Sequence, residues 1–296
     1  MHRLFAAAFV VILSACQTFA DPPAKPVAAA EPPKAAVAGP VPATSGDPAV
    51  DELLDKLEAK GDEIKGLSCK LRYNYVTIDP VESSQIKTGE LKYLKPTGTN
   101  INGMFKIHFR ELDADGVKSK HEEQIAFDGN WLVERNDKAK TIIRREVVKK
   151  GEKVNPFELG KGPFPMPFGQ KRADMLQHFK IKKMASGAGD PPNTVKLHCE
   201  PHPHSNMASR YRQVQMLIDK GNNLPVKMLC ERLADGNRIE VAFTDVDTKA
   251  APALNDFKIE EPKDFDKREE PITDEPAGPN DNAPPPAPPA SPAKGK

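Results

Sequence analysis

The stretch at residues 89–96, GELKYLKP, constrains this chain more than any other. Leu91 and Tyr93 project one way while Glu90 and Lys92 project the other, the two-residue period of a strand with one buried and one wet face. Pro96 has no N–H to give a ladder and closes the strand. Further on, residues 127–132, FDGNWL, set Asp128-Gly129 between two apolar runs, which is a hairpin signal. The alternation recurs at 67–75, 105–109, 125–127, 131–133, 141–145, 195–199, 211–219, 226–232, 238–245 and 257–259. Turns rich in Gly, Asn and Asp at 219–223 and 234–237 join consecutive strands into an antiparallel meander. So many strands, each with one apolar face, must close on themselves or curl around something.

One well-marked helix precedes them. Asp47 caps it, Pro48 suits its first position, Val50, Leu53, Leu54 and Leu57 form its apolar stripe, and Gly61 stops it. A helix of about three turns cannot cover the whole sheet. The fold expected is therefore mainly β with helices (α+β): an unclosed antiparallel β-barrel, or curved sheet, with helices over its concave apolar face. The meander is broken at 154–179, where PFPMPF at 163–168 places Pro between large apolar residues and forbids both helix interior and central strand. A short helix follows at 170–179. Phe164, Met166 and Phe168 read either as a lid over the open mouth of the sheet or as a core-packing loop.

Composition sets the domain limits. The chain has 296 residues with 43 Lys+Arg against 42 Asp+Glu, so no basic excess marks it for nucleic acid. Its 30 prolines gather at the ends. Residues 1–20 read as an export signal: Arg3 is followed by an unbroken apolar run at 4–13, too short to span a membrane. The run ends in Leu13-Ser14-Ala15-Cys16, a match to the bacterial lipobox, so Cys16 is the expected lipid-attachment site and the N-terminus the expected membrane anchor. The alternative is ordinary cleavage after Thr18-Phe19-Ala20. Residues 21–46 are a Pro/Ala-rich linker and 267–296 a Pro-rich tail, both too poor in large apolar residues to offset chain entropy. Residues 47–266 remain as one domain.

His198, Cys199, His202 and His204 have zinc-ligand chemistry, but the prolines beside His202 and His204 favour extended backbone that splays the rings, and a solvated turn is the reading preferred. Cys199 and Cys230 are the pair best placed for a disulfide; with Cys69, they read equally as buried thiols. Glu122 and Glu123 are adjacent on a strand, face opposite ways, and cannot share a proton. No Gly-rich phosphate loop, His-Glu-x-x-His helix or Gly-x-Ser-x-Gly elbow is present, so neither an enzyme nor a cofactor is expected.

The order of motifs resembles the LolA/LolB family of bacterial lipoprotein carriers and receptors. GELKYLKP looks like that family's Gly-x-Leu-x-x-Lys-Arg-Pro strand, though Leu94-Lys95 stands where Lys-Arg is usual, and FDGNWLVE resembles its Asp-Gly hairpin. LIDKGNNLP at 217–225, the turn at 235–238 into IEVAFTDV, and DFKIEEP at 256–262 follow in matching order. The resemblance implies an unclosed half-barrel whose cavity holds the acyl chains of a lipid or lipoprotein, in the periplasm and anchored to the outer membrane. On the residues themselves, Leu71, Tyr73, Tyr75, Leu91, Tyr93, Phe105, Ile107, Phe109, Phe127 and Trp131 either line an acyl-chain cavity or form a filled core. A filled core would make the chain an envelope interaction module.

Overall fold

The computed structural model describes residues 42–98, 102–152, 167–185 and 187–272. Helix α1, Pro48–Glu63, opens with Asp47 accepting a hydrogen bond from the Ala49 N–H at 2.9 Å. Val50, Leu54 and Leu57 are buried as the stripe requires, while Leu53 is only partly so. Gly61 does not stop the helix. It lies inside α1, where a Cβ would sit 2.7 Å from the Cα of Gly169, so glycine lets a neighbouring turn pack on the helix backbone. The helix ends two residues later. There Lys95 of the LKP motif donates from Nζ to the Asp62 carbonyl at 3.0 Å, a cation placed at the negative end of the helix dipole.

Twelve strands form one sheet: β1 Gly66–Thr77, β2 Ser83–Leu94, β3 Met104–Ala114, β4 Val117–Phe127, β5 Trp131–Asn136, β6 Thr141–Glu146, β7 Phe179–Met184, β8 Thr194–Pro201, β9 Tyr211–Asp219, β10 Pro225–Arg232, β11 Arg238–Asp247 and β12 Asp266–Glu270. The order is β12-β6-β5-β4-β3-β2-β1-β11-β10-β9-β8-β7, so the sheet does not close. Helix α2, Arg172–His178, lies between β6 and β7 in sequence. The α+β half-barrel expected from the sequence is the fold found.

Three details differ from expectation. The strand expected at 257–259 does not form; Leu254–Phe257 make a 3-10 turn instead. The last strand is β12, which pairs parallel to β6 and runs past residue 266 into the expected tail. Its sequence, DKREE, has no apolar residue to announce it; Arg145 holds it by an ion pair to Glu270 at 2.7 Å. Edge strand β7 follows α2 directly, with Phe179 and Ile181 buried and Lys180, Lys182 and Lys183 exposed, a charged edge that discourages pairing with other chains.

The sheet has a front face lined by two apolar clusters. Over β7–β10, Val50, Leu54 and Leu57 of α1 and Met175 and Leu176 of α2 pack on Ile181, Leu197, Val214, Met216 and Met228. Arg172 locks the helices together, its backbone N–H donating to Glu58 at 2.9 Å and its guanidinium pairing with Asp55 at 2.8 Å. Cys199 and Cys230 lie in this cluster as free thiols. Both are in register with Val214 on the strand between them, two strand spacings or roughly 9–10 Å apart, beyond the reach of a disulfide. Burial pushes each thiol up to about 12.

Candidate functional site

The second cluster lies on the front face of β1–β5, where cross-strand register stacks side chains in tiers. Leu67, Tyr93, Phe105, Phe127 and Leu132 are in register, next to them Cys69, Leu91, Ile107 and Ile125, and then Leu71, Gly89, Phe109 and Glu123. Of the residues read from the sequence, Leu71, Leu91, Phe105, Ile107, Phe109 and Phe127 come together, each at most 2% exposed. Tyr73 and Tyr93 are partly buried against them. The rings of Phe105 and Phe127 stack at 6.0 Å, and Tyr73 tilts onto Phe109 at 6.1 Å. Leu67, Cys69, Leu132, Val241 and Phe243 complete the cluster. Sequence reading left them off the site although each sits in phase with the others along its strand.

Two of the expected residues lie elsewhere. Trp131 is not on this face. Leu132 is in register with Phe127 and so points forward, which turns Trp131 to the back, where the Arg144 guanidinium rests 5.6 Å from its ring centre. Tyr75 points forward but beyond the cluster, its hydroxyl accepting hydrogen bonds from Asn237 Nδ2 at 2.9 Å and Arg232 at 3.2 Å. Of the lid residues, Phe168 packs edge-on against Phe243 at 4.9 Å and is part of the cluster. Phe164, Met166 and Cys16 lie outside the described residues.

What covers this cluster differs from the helical cover over β7–β10. Ile64, just after α1; Val148, just after β6; Phe168, just before α2; and Leu224, between β9 and β10, reach in from four connecting segments. The FDGN hairpin braces one rim. Asp128 accepts from the Asn130 and Trp131 N–H groups at 3.0 and 2.8 Å, and Asn102 donates to the Gly129 carbonyl at 2.8 Å.

Beyond Phe109 the front face becomes charged. Glu123 Oε2 accepts from Lys87 Nζ at 2.7 Å and lies 2.7 Å from His121 Nε2, with the three side chains only 10–18% exposed. Burial pushes the Glu123 carboxyl up, but the His121 hydrogen bond and the Lys87 charge outweigh it and hold the group below the usual carboxylate range. Glu122, next in sequence, points to the back face and meets His108 at 2.7 Å, so the two carboxylates are separated as their adjacency requires. Among the described residues, no group of three or more His, Cys, Asp and Glu side chains is placed to hold a metal. His202 and His204 stack on each other at 5.2 Å, and Cys199 is buried. Among the described residues, no helix is long and apolar enough to cross a membrane.

No family model matches the chain, and no curated protein does. Solved structures similar in fold include an uncharacterized conserved protein from Thermus thermophilus, at 8% identity and TM-score 0.45, covering 75% of this chain and 99% of that one. LprF from Mycobacterium bovis follows at 11% identity and TM-score 0.39, covering 70% and 95%. A LolA superfamily protein from Nitrosomonas europaea is similar at 12% identity and TM-score 0.31, covering 71% and 97%. These likenesses are distant, and the site is read from its own residues.

Proposed function

We propose that the chain is a divergent LolA-like lipid- or lipoprotein-binding protein of the bacterial envelope, non-catalytic, which holds acyl chains against the front face of β1–β5. The observation that carries this reading is the unequal cover of the two apolar clusters. A sheet face built only for stability would be closed by regular elements along its whole width, as α1 and α2 close β7–β10. Over β1–β5, among the described residues, Ile64, Val148, Phe168 and Leu224 reach in from connecting segments, outside any helix or strand. Displacing Phe168 from Phe243 opens a surface of Leu, Ile and Phe side chains with the apolar character an acyl chain needs. The export signal, the lipobox at Cys16 and the Pro-rich segments on both sides fit a domain tethered to the outer membrane and facing the periplasm.

A second reading is favoured by the complete burial of Leu91 and Ile107 in the cluster. In that reading the cluster is a permanent core and the chain an envelope interaction module. Uptake of an apolar fluorophore by the full chain, with displacement by added fatty acid, separates the two: the binder takes up and releases the dye, and the module takes up none. For the anchor, Cys16→Ser is expected to leave the protein unacylated and outside the membrane fraction; an unchanged membrane fraction rejects acylation at Cys16.

A further inference from the structure

The apolar tiers of β1–β5 end in a partly buried charged group, Lys87, Glu123 and His121, on the same face of the sheet. Lys87 is in register with Tyr73, and Glu123 with Phe109, so the charges continue the lining rather than decorate an edge. An ion pair whose only task was to tie β2 to β4 would be a poor choice here, because apolar residues of similar volume do as well or better at such a site. The backbone has also been shaped around the group. The register shifts between Thr88 and Gly89 on β2 against β3, and again between Phe109 and Glu111 on β3 against β4. At the first shift Gly89 approaches β3 so closely that a Cβ would fall 1.9 Å from the His108 carbonyl oxygen, so no other residue fits. Paired irregularities of this kind re-aim side chains; here they let Lys87 and Glu123 meet across an intervening strand.

The donor count leaves room for a guest. Lys87 Nζ has three N–H groups; it gives one to Glu123, and it stands 5.7 Å from the Phe109 ring centre. His121 shares the same carboxylate oxygen, so Glu123 keeps a partner if Lys87 turns toward another anion. We infer that Lys87 receives the anionic head, a carboxylate or a phosphate, of an amphiphile whose chain lies along the apolar tiers, with Glu123 and His121 positioning the ammonium between visits. From Phe105 to Phe109 the strand advances roughly 13 Å, enough to lie against part of an extended long acyl chain. The inference rests on the acyl-binding reading of this face and adds the head-group chemistry to it.

The test compares palmitate, hexadecanol and palmitoyl lysophosphatidate as ligands for the full chain, purified without detergent. They share a chain and differ in the head. Palmitate, lysophosphatidate or both should bind about tenfold more tightly than the alcohol, the usual worth of a charge-assisted hydrogen bond in a half-buried site. Which of the two anions binds better tells carboxylate from phosphate. Lys87→Met should reduce the anions to the affinity of the alcohol and leave the alcohol unchanged, while Lys87→Arg should keep the preference, which separates loss of charge from loss of fold. Glu123→Gln, by removing the resident competitor, should widen the preference. Binding of both anions no tighter than the alcohol by the wild type overturns the head-group site and leaves the acyl-binding reading intact. No binding of any of the three overturns both.

Discussion

The two apolar clusters of the front face are built from the same materials to different ends. Over β7–β10 the sheet is roofed by α1 and α2, which an Arg172 clamp holds together, and Val50 and Leu54 are wholly buried. Over β1–β5 the described residues that reach in are single side chains from connecting segments, and the floor ends in Lys87, Glu123 and His121. Equal burial therefore conceals unequal freedom. A helix roof opens only by losing many hydrogen bonds together, whereas Phe168 lies outside helix and strand. In the proposed reading, the cluster over β7–β10 stabilises the domain and the cluster over β1–β5 accommodates the ligand.

Four substitutions would sharpen or break that division. The largest effect is expected from Ile107→Asp, which places a carboxylate at a position with no exposure and no cationic partner in its tier. Burying an unpaired charge costs several kcal/mol, so the domain should unfold or lose its ligand face, by circular dichroism and dye uptake. A variant that folds and still binds dye would show that the face has been misassigned.

A matched pair of truncations comes next. Leu54→Ala should cost about 2–5 kcal/mol in denaturant unfolding and leave dye dissociation unchanged. Phe168→Ala should cost less, about 1–3 kcal/mol, because its segment can settle into the space, and should speed dye dissociation. Equal stability losses with equal dye kinetics would erase the distinction between the two roofs.

The smallest effect is one of pH. Because Glu123 is held below its ordinary range, the stability it contributes is present above the unfolded value of about 4.3 and is lost as pH falls through the lower folded value. Wild type should therefore lose more stability than Glu123→Gln as pH drops below about 4. Parallel acid limbs would mean that the carboxylate is not held by His121 and Lys87 as described.

Most of the sheet could be read from period-two alternation, because strands with one wet face carry that pattern openly. The start of α1 was legible for a similar reason: Asp47 and Pro48 do local chemistry. Its end was not, since Gly61 serves a contact with Gly169, more than a hundred residues away, and a lone glycine looks the same whether it stops a helix or admits a neighbour. Trp131 was assigned to the wrong face because alternation says nothing about how many residues a hairpin uses; register with Phe127 chose Leu132 instead. Strand β12 carries no pattern at all and is held by charge and by the ladder with β6.

The charged tier is also legible in the sequence. Lys87 is in phase with Gly89, Leu91 and Tyr93, and His121 and Glu123 with Ile125 and Phe127. A charged residue in phase with an apolar face is a stronger signal than any single motif in this chain. It says that the face changes character along its length, which composition alone does not reveal.

Native mass spectrometry of the full chain tests whether the front face of β1–β5 accepts an acyl chain. The protein would be purified from a bacterial envelope fraction without detergent, with lipid extraction alongside. The account predicts adducts at the mass of acyl-bearing lipids that are lost on extraction and restored by added palmitate. A single apo mass, with no uptake of added palmitate, would contradict it and leave the second cluster as a filled core.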